Sequence, residues 1–210
     1  MKPYDVYLFR VAAVIVIPLI FLGCAHGVLN SAYLLPEPTG SPLKNISPKT
    51  FAFKEFSDAR EDADPLFVFG DNKPRNDVKW KMGPLEQPPA TIVATAIKRE
   101  FEMNGHTCVA DTPSSDFIIE GSLQKYKVVG TGSSYFQQKF RTEVAVKLTV
   151  TSVSDTKRVF TKNYEGEYAG VIGAVGSGGL GNLIPLLKAA LFEMVKEIST
   201  DPELIAFIEK

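Results

Sequence analysis

One stretch of this sequence, residues 140–153, alternates strictly between apolar and polar side chains. Its apolar positions are Val144, Val146, Leu148 and Val150, and charged or hydroxyl side chains occupy the positions between them. This is the period of a β-strand, and it predicts a sheet with one buried face and one wet or lightly covered face. The fold is therefore expected to be built around a sheet with a single apolar side.

The same reasoning predicts strands on both sides of this stretch. Residues 116–129 and 158–168 follow strand patterns, and the second begins after a turn. A first strand is expected earlier, over residues 50–57, and residues 66–69 offer a brief additional one. Three successive strands joined by short connections indicate a mainly antiparallel sheet.

Helical periodicity appears twice. Residues 91–104 carry apolar side chains near one face and end at Gly105, which suits a left-handed cap. A second helix is expected after Asn182, and a short final one after Asp201-Pro202. The order is strand, helix, three strands, helix, which predicts a single α+β domain with the helices packed on one face of the sheet.

The amino terminus reads as an export signal. Lys2 and Arg10 form a basic leader before an apolar run over residues 11–22, which is shorter than the about 20 residues that a helix needs to cross a bilayer. The run ends in Phe-Leu-Gly-Cys, which looks like a bacterial lipobox with Cys24 as the acylated residue. Because Phe and Leu stand where the commonest lipobox has Leu and a small residue, an ordinary signal peptide or a membrane anchor is the alternative.

These features divide the chain into three parts. Residues 1–23 are expected to be a signal peptide, residues 24–49 a proline-rich lipidated tether, and residues 50–210 the α+β domain. The residue after the cysteine is Ala25 and not Asp, which favours the outer membrane, facing the periplasm. Palmitate and the other acyl chains at Cys24 would make the membrane attachment stable.

Composition argues against several function classes. The chain has 23 Lys plus Arg and 24 Asp plus Glu, so it has no basic footprint for nucleic acid. Neither His26 nor His106 has a second His or Cys at the spacing of metal ligands. The Ser114-Ser115-Asp116 cluster has no basic residue nearby in the sequence that could activate a serine. Cys108 is expected to be a buried free thiol. We therefore expect no cofactor, no metal and no enzyme activity.

Several segments together resemble the YajG-like family of uncharacterised bacterial lipoproteins. They are the strand that closes on Asp58-Ala59-Arg60, the helix that ends at Asn104-Gly105, the strand after Ser115-Asp116, and the tail over residues 199–208. The resemblance runs from about Phe51 to the end of the chain. It implies a small α/β fold like those in the periplasmic part of the curli secretion channel and at the start of the Tol–Pal propeller protein. It implies no activity.

The glycine-rich stretch over residues 170–181 departs from that family and allows three interpretations. The first, a phosphate-binding loop, is disfavoured because the stretch lacks the Lys and Ser/Thr of such a loop. The second is a mobile connection. The third is a contact surface for a second subunit, a partner or lipid, formed by Val171, Ile172, Val175 and Leu180.

Asp58 and Arg60 could bind a ligand, pair with each other or satisfy a turn. The leading interpretation of the whole chain is a non-catalytic envelope lipoprotein that binds another envelope protein, with a homo-oligomer also possible. The alternative is a lipid- or glycan-binding accessory of an envelope transport system, and a hydrolase is a third class.

Overall fold

A computed structural model describes residues 31–61, 67–69, 80–81, 85–110, 112–134, 137–173 and 184–210. Within these ranges the chain forms eight strands and three α-helices. The strands are β1 (Thr50–Phe53), β2 (Ser57–Asp58), β3 (Phe67–Phe69), β4 (Trp80–Lys81), β5 (Thr107–Val109), β6 (Phe117–Ser134), β7 (Gln137–Ser152) and β8 (Val159–Gly173). The helices are α1 (Pro89–Met103), α2 (Ile184–Thr200) and α3 (Pro202–Glu209).

The long strand β6 organises the sheet. Along one side it pairs antiparallel with β7, which pairs antiparallel with β8. Along the other side it pairs in parallel with the short strands β1, β2 and β3. β5 extends β1 in parallel, and β4 is antiparallel to β3. The predicted class is confirmed: a single α+β domain with a mainly antiparallel sheet and helices on one face.

The alternation in β7 has the predicted effect. Val144, Val146, Leu148 and Val150 are all fully buried and belong to the hydrophobic core. α2 packs over β7 and β8, and α1 packs over β6 and against α2. β6 and β8 both run about five residues beyond the predicted strands, because pairing with β7 continues through segments rich in glycine and serine.

The helix ends follow the sequence signals. α1 begins at Pro89, and Gly105 after it has a φ of 91°, which only glycine adopts without strain. At α3 the Asp201 carboxylate accepts a hydrogen bond from the backbone N–H of Glu203. Asn182, the expected cap of α2, lies outside the described residues.

Residues 34–49, which we call the strap, pack against the domain although the sequence predicts a tether there. Leu34 and Leu43 are fully buried and Ile46 is 5% exposed, and all three belong to the core. Proline and turn residues between these side chains remove the periodicity that signals packing in a sequence, but they leave the apolar side chains free to reach the core. The part of the predicted tether before residue 31 lies outside the described residues.

Candidate functional site

Two glycines let α2 lie unusually close to β8. A Cβ atom at Gly166 would stand 2.0 Å from the Ala190 carbonyl oxygen and 2.5 Å from the Met194 nitrogen. At Gly170 it would stand 2.4 Å from Leu186 Cδ2. Gly166 lies within the predicted strand, whereas Gly170 opens the expected connection and is a strand residue instead. The packing role of both glycines was not predicted from the sequence.

The end of β8 over residues 168–173, which we call the β8 tip, exposes apolar side chains. Of the four large apolar side chains that are exposed within the described part, three lie on β8: Val159, Tyr168 and Val171, at 50%, 43% and 55%. Of the predicted contact residues, Val171 is thus exposed and Ile172 pairs with Gln138 in the sheet. Val175 and Leu180 lie outside the described residues.

β8 is an edge strand, since it pairs only with β7 among the described strands. Its outer side carries backbone groups that could pair with another strand. One of them is satisfied locally, because the N–H of Glu165 donates to Glu197 Oε2 at 3.0 Å. α2 therefore covers part of the edge near Glu165.

A network of ion pairs crosses the face of the sheet opposite the helices, which we call the open face. Its members are Glu143, Glu165, Glu167, Lys125, Lys127 and Arg141. The Glu143 side chain is 11% exposed and lies 3.0 Å from Lys127 Nζ. Burial alone would raise the pKa of Glu143, but the Lys127 hydrogen bond and the nearby basic charges lower it.

The three glutamates could also be considered as a metal site, because their carboxylate oxygens lie within 4.8 Å of one another. Each of them has a basic partner, however: Lys125 Nζ lies 2.5 Å from Glu165, and Arg141 pairs with Glu167. The arrangement holds β6, β7 and β8 in register and does not need a cation.

The structure brings Asp58 and Arg60 together. Arg60 Nε donates to Asp58 Oδ1 at 2.8 Å, and a terminal guanidinium nitrogen donates to Oδ2 at 2.6 Å. The Arg60 hydrogen bond lowers the pKa of Asp58. The Arg60 side chain is 6% exposed, and its guanidinium group binds both oxygens of the Asp58 carboxylate. The pair therefore stabilises the chain at the end of β2 and leaves no carboxylate oxygen of Asp58 unpaired.

Two hydroxyl groups are buried near the middle of the sheet without a hydrogen-bond partner among the described residues. They belong to Tyr126, which is 2% exposed, and to Thr142, which is fully buried. They lie on the adjacent strands β6 and β7. Burial raises the pKa of Tyr126, and the charge of Arg60 opposes that rise.

A cleft of 540 Å³ lies beside β7 and β8 and reaches Glu197 of α2. Polar and apolar groups line it about equally, and the lining residues are Gln124, Lys125, Ala145, Val146, Lys147, Asn163, Tyr164, Glu165 and Glu197. Two lysines, two glutamates and two amides give it both hydrogen-bond donors and acceptors without a net charge. This composition suits a polar ligand better than an acyl chain.

Buried polar side chains hold the strap to the helices. Glu100 is 2% exposed, and its carboxylate accepts hydrogen bonds from the Thr39 N–H at 2.8 Å and from the Thr39 hydroxyl. Thr39 Oγ1 also lies 2.9 Å from Ser199 Oγ, and Asn104 Nδ2 donates to Glu100 Oε1 at 2.9 Å. One threonine thus joins the strap to both α1 and α2.

His106 holds the strap at a second point. The Lys49 N–H donates to Nδ1 at 3.2 Å, so the neutral ring carries its proton on Nε2, which lies 3.2 Å from the Leu43 carbonyl oxygen. The side chain is 5% exposed, and burial lowers its pKa. The sequence analysis considered His106 only as a metal ligand and missed this role.

The remaining candidates occupy structural positions. Cys108 is half-buried near the Lys98 carbonyl oxygen, and burial raises the pKa of its thiol to about 12. Ser115 donates to the Thr112 carbonyl, and Asp116 accepts from the Thr50 N–H at 2.8 Å. Cys24 and His26 lie outside the described residues. Among the described helices, none is long and apolar enough to span a membrane.

No protein-family model matches this sequence, and no curated protein matches it. Several solved structures are similar to it at low identity. Protein XCC0632 from Xanthomonas campestris, of the family DUF330, is 15% identical over 82% of this chain and 89% of its own, with a TM-score of 0.49. An uncharacterized protein is 8% identical over 79% and 97%, with a TM-score of 0.50. A PelC dodecamer subunit from Paraburkholderia phytofirmans is 8% identical over 77% and 92%, with a TM-score of 0.34. The uncharacterized protein, at 8% identity, shows a likeness of fold alone.

Proposed function

We propose that this protein is a non-catalytic lipoprotein of the bacterial envelope, related to the YajG-like family. Its signal peptide is removed, Cys24 is acylated, and the domain faces the periplasm from the outer membrane, where it binds another envelope protein. The observation that carries this proposal is the position of the lipobox cysteine, ten residues before Leu34, at which the chain joins the hydrophobic core.

The contacts of the titratable side chains support a binding role over a catalytic one. Asp58 is paired with Arg60, His106 holds the strap, and Asp201 accepts hydrogen bonds from Tyr164 and from the backbone of α3. Each of these groups is used to stabilise the fold. The large surface left for recognition is the open face of β6, β7 and β8, together with the outer edge of β8.

Lipid labelling tests the anchor. Cys24→Ser should abolish incorporation of labelled palmitate and leave an unprocessed precursor. Cys108→Ser is the matched control, because it removes the other cysteine and should leave labelling intact. Normal labelling of the Cys24→Ser protein would refute the lipid anchor.

Site-specific crosslinking tests the partner. A photoreactive residue at Thr161, which is exposed on the open face, should give an adduct with an envelope protein in intact cells. The same residue at Met103, which is 64% exposed at the end of α1, should give none. Equal adducts at both positions would indicate no preferred face.

A second candidate function is an accessory that binds an envelope glycan in the cleft. The amides of Gln124 and Asn163 and the amine of Lys147 on its walls favour this alternative. Glycan binding by the purified protein that is lost in Asn163→Ala, with an unchanged melting temperature, would establish it over protein binding.

A further inference from the structure

The strap leaves little free chain between Cys24 and the domain. Leu34 is fully buried, so only residues 25–33 separate it from the lipobox cysteine. At about 3.3–3.6 Å for each extended residue, the ten steps from Cys24 to Leu34 reach at most about 36 Å. A released strap would add residues 34–49 and would more than double that reach. The packed strap therefore keeps an acylated protein close to its membrane.

The strap also determines which end of the domain lies nearest to the anchor. The Glu37 carboxylate, near the start of the strap, lies 3.8 Å from Lys188 Nζ in the first half of α2 and 3.9 Å from the Arg99 guanidinium of α1. Leu186, two residues before Lys188, contacts Gly170 in the β8 tip. Thr39, further along the strap, reaches Ser199 at the other end of α2. The strap thus runs along α2 from the half that packs on the β8 tip toward Ser199.

The side chains of the β8 tip are of the kinds that suit a lipid surface. Tyr168 and Val171 are 43% and 55% exposed. Lys139 is exposed and pairs with Val171 across the sheet. Aromatic and aliphatic groups enter the headgroup region of a bilayer, and a lysine beside them is attracted to anionic lipid. Glu167, also nearby, is neutralised by Arg141.

From the reach of the chain, its entry point and this composition, we infer that the β8 tip docks on the membrane that holds the acylated Cys24. The inference rests on the lipid anchor of the proposed function. The ligand is the lipid surface itself, and Tyr168, Val171 and Lys139 contact it. Because the anchor keeps the surface within reach, a contact too weak for a free protein is sufficient.

Two valines on one strand provide a matched test. Val171 lies in the β8 tip, and Val159 is 50% exposed at the other end of β8, about 40 Å away at 3.3 Å for each residue. Full-length acylated Val171→Cys and Val159→Cys proteins are labelled with a donor dye and placed in vesicles of phosphatidylethanolamine and phosphatidylglycerol that contain an acceptor lipid. Cys108 should take little label because it is half-buried and its pKa is raised.

Energy transfer to the acceptor lipid should be at least twofold greater from position 171 than from position 159. Equal transfer, or greater transfer from position 159, would overturn the inference. A greater transfer from position 171 that disappears when the protein is diluted into excess lipid would identify a second copy as the occupant of the β8 tip. That result would overturn the inference too.

Flotation with the vesicles separates this inference from the proposed function. Acylated protein should float, whereas Cys24→Ser protein that lacks residues 1–23 should not, and equal flotation of the two refutes the anchor. Protein that floats but shows equal transfer refutes only the docking of the β8 tip.

Inserting about 20 glycine and serine residues after His26 should at least halve the difference in transfer between positions 171 and 159. An unchanged difference would overturn the role assigned to the short reach.

Discussion

Individual buried polar residues decide how the amino-terminal part of the domain is held. Glu100 and His106 are 2% and 5% exposed, and both form their hydrogen bonds with the strap. A buried carboxylate or imidazole is costly unless such partners are present. Ile97, Glu100, Phe101 and Asn104 share one face of α1, so a charged residue within an apolar face was the signal in the sequence that could have revealed this contact.

His106 should make stability depend on pH. Burial lowers its pKa in the folded protein, whereas the unfolded residue titrates near about 6.5. The unfolded state therefore binds the proton more readily, and the contribution of His106 is complete above about 6.5 and is lost as the pH falls from there toward the lower folded pKa. Lys49 is the charged residue beside the ring, and Phe51 and Phe101 cover it.

Melting temperature measured from pH 7.5 to pH 5 tests this dependence. The fall in melting temperature toward low pH should be smaller in His106→Gln than in the natural protein, even though the variant is less stable at pH 7.5. Parallel curves for the two proteins would show that another group is responsible.

Two buried tyrosines should respond oppositely to loss of their hydroxyl group. Tyr126 has no hydrogen-bond partner within the described part, so Tyr126→Phe should leave the free energy of unfolding unchanged or raise it by up to about 1 kcal/mol. Tyr164 donates to Asp201 at 2.5 Å, so Tyr164→Phe should lower it by about 1–3 kcal/mol. Denaturant unfolding measures both, and a loss in Tyr126→Phe would reveal an unseen partner.

At the scale of the elements, β7 supplies the centre of the core. Leu148→Ala should lower the free energy of unfolding by about 2–5 kcal/mol, because the fully buried side chain would leave a cavity. Lys147→Ala, at the next residue but on the exposed open face, should change it by less than about 0.5 kcal/mol. Similar losses of unfolding free energy from both substitutions would show that the buried face of β7 is assigned incorrectly.

The packing of α2 on β8 depends on glycine. Gly166→Ala should destabilise the protein by several kcal/mol or prevent folding, because the new methyl group would collide with the backbone of α2 at Ala190 and Met194. Gly40→Ala is the control, since a Cβ there meets nothing within 4 Å. Circular dichroism and thermal unfolding of the two variants make the comparison, and a stable Gly166→Ala protein would mean that α2 can shift.

The strands and helices were predictable where local pattern and tertiary structure agree. The alternation in β7 and the end of α1 at Gly105 follow directly from the sequence. β5 was not predicted because its three residues are too few to show a periodic pattern. The extension of β8 was not predicted because glycines there are typical of a loop between a strand and a helix. Close approach of a helix is a tertiary property, and a single sequence does not display it.

At the scale of the whole molecule, the strap makes the domain larger than its sheet and helices suggest. A chain that begins at Ser31 should fold with a cooperative thermal transition. A chain that begins at Thr50 should unfold at a lower temperature or aggregate, because it lacks the buried Leu34, Leu43 and Ile46 and leaves Glu100 without Thr39. Equal melting temperatures would show that the strap adds nothing to stability.

The contact between Thr39 and Ser199 also restricts the order in which the protein can be completed. The two residues are 160 positions apart in the chain. A ribosome makes Thr39 long before Ser199 exists. In the export that we propose, the chain would also cross the membrane from the same end. The contact cannot form until nearly the whole length of the domain is available. α2, which is synthesised near the end, therefore holds the strap, which is synthesised near the beginning.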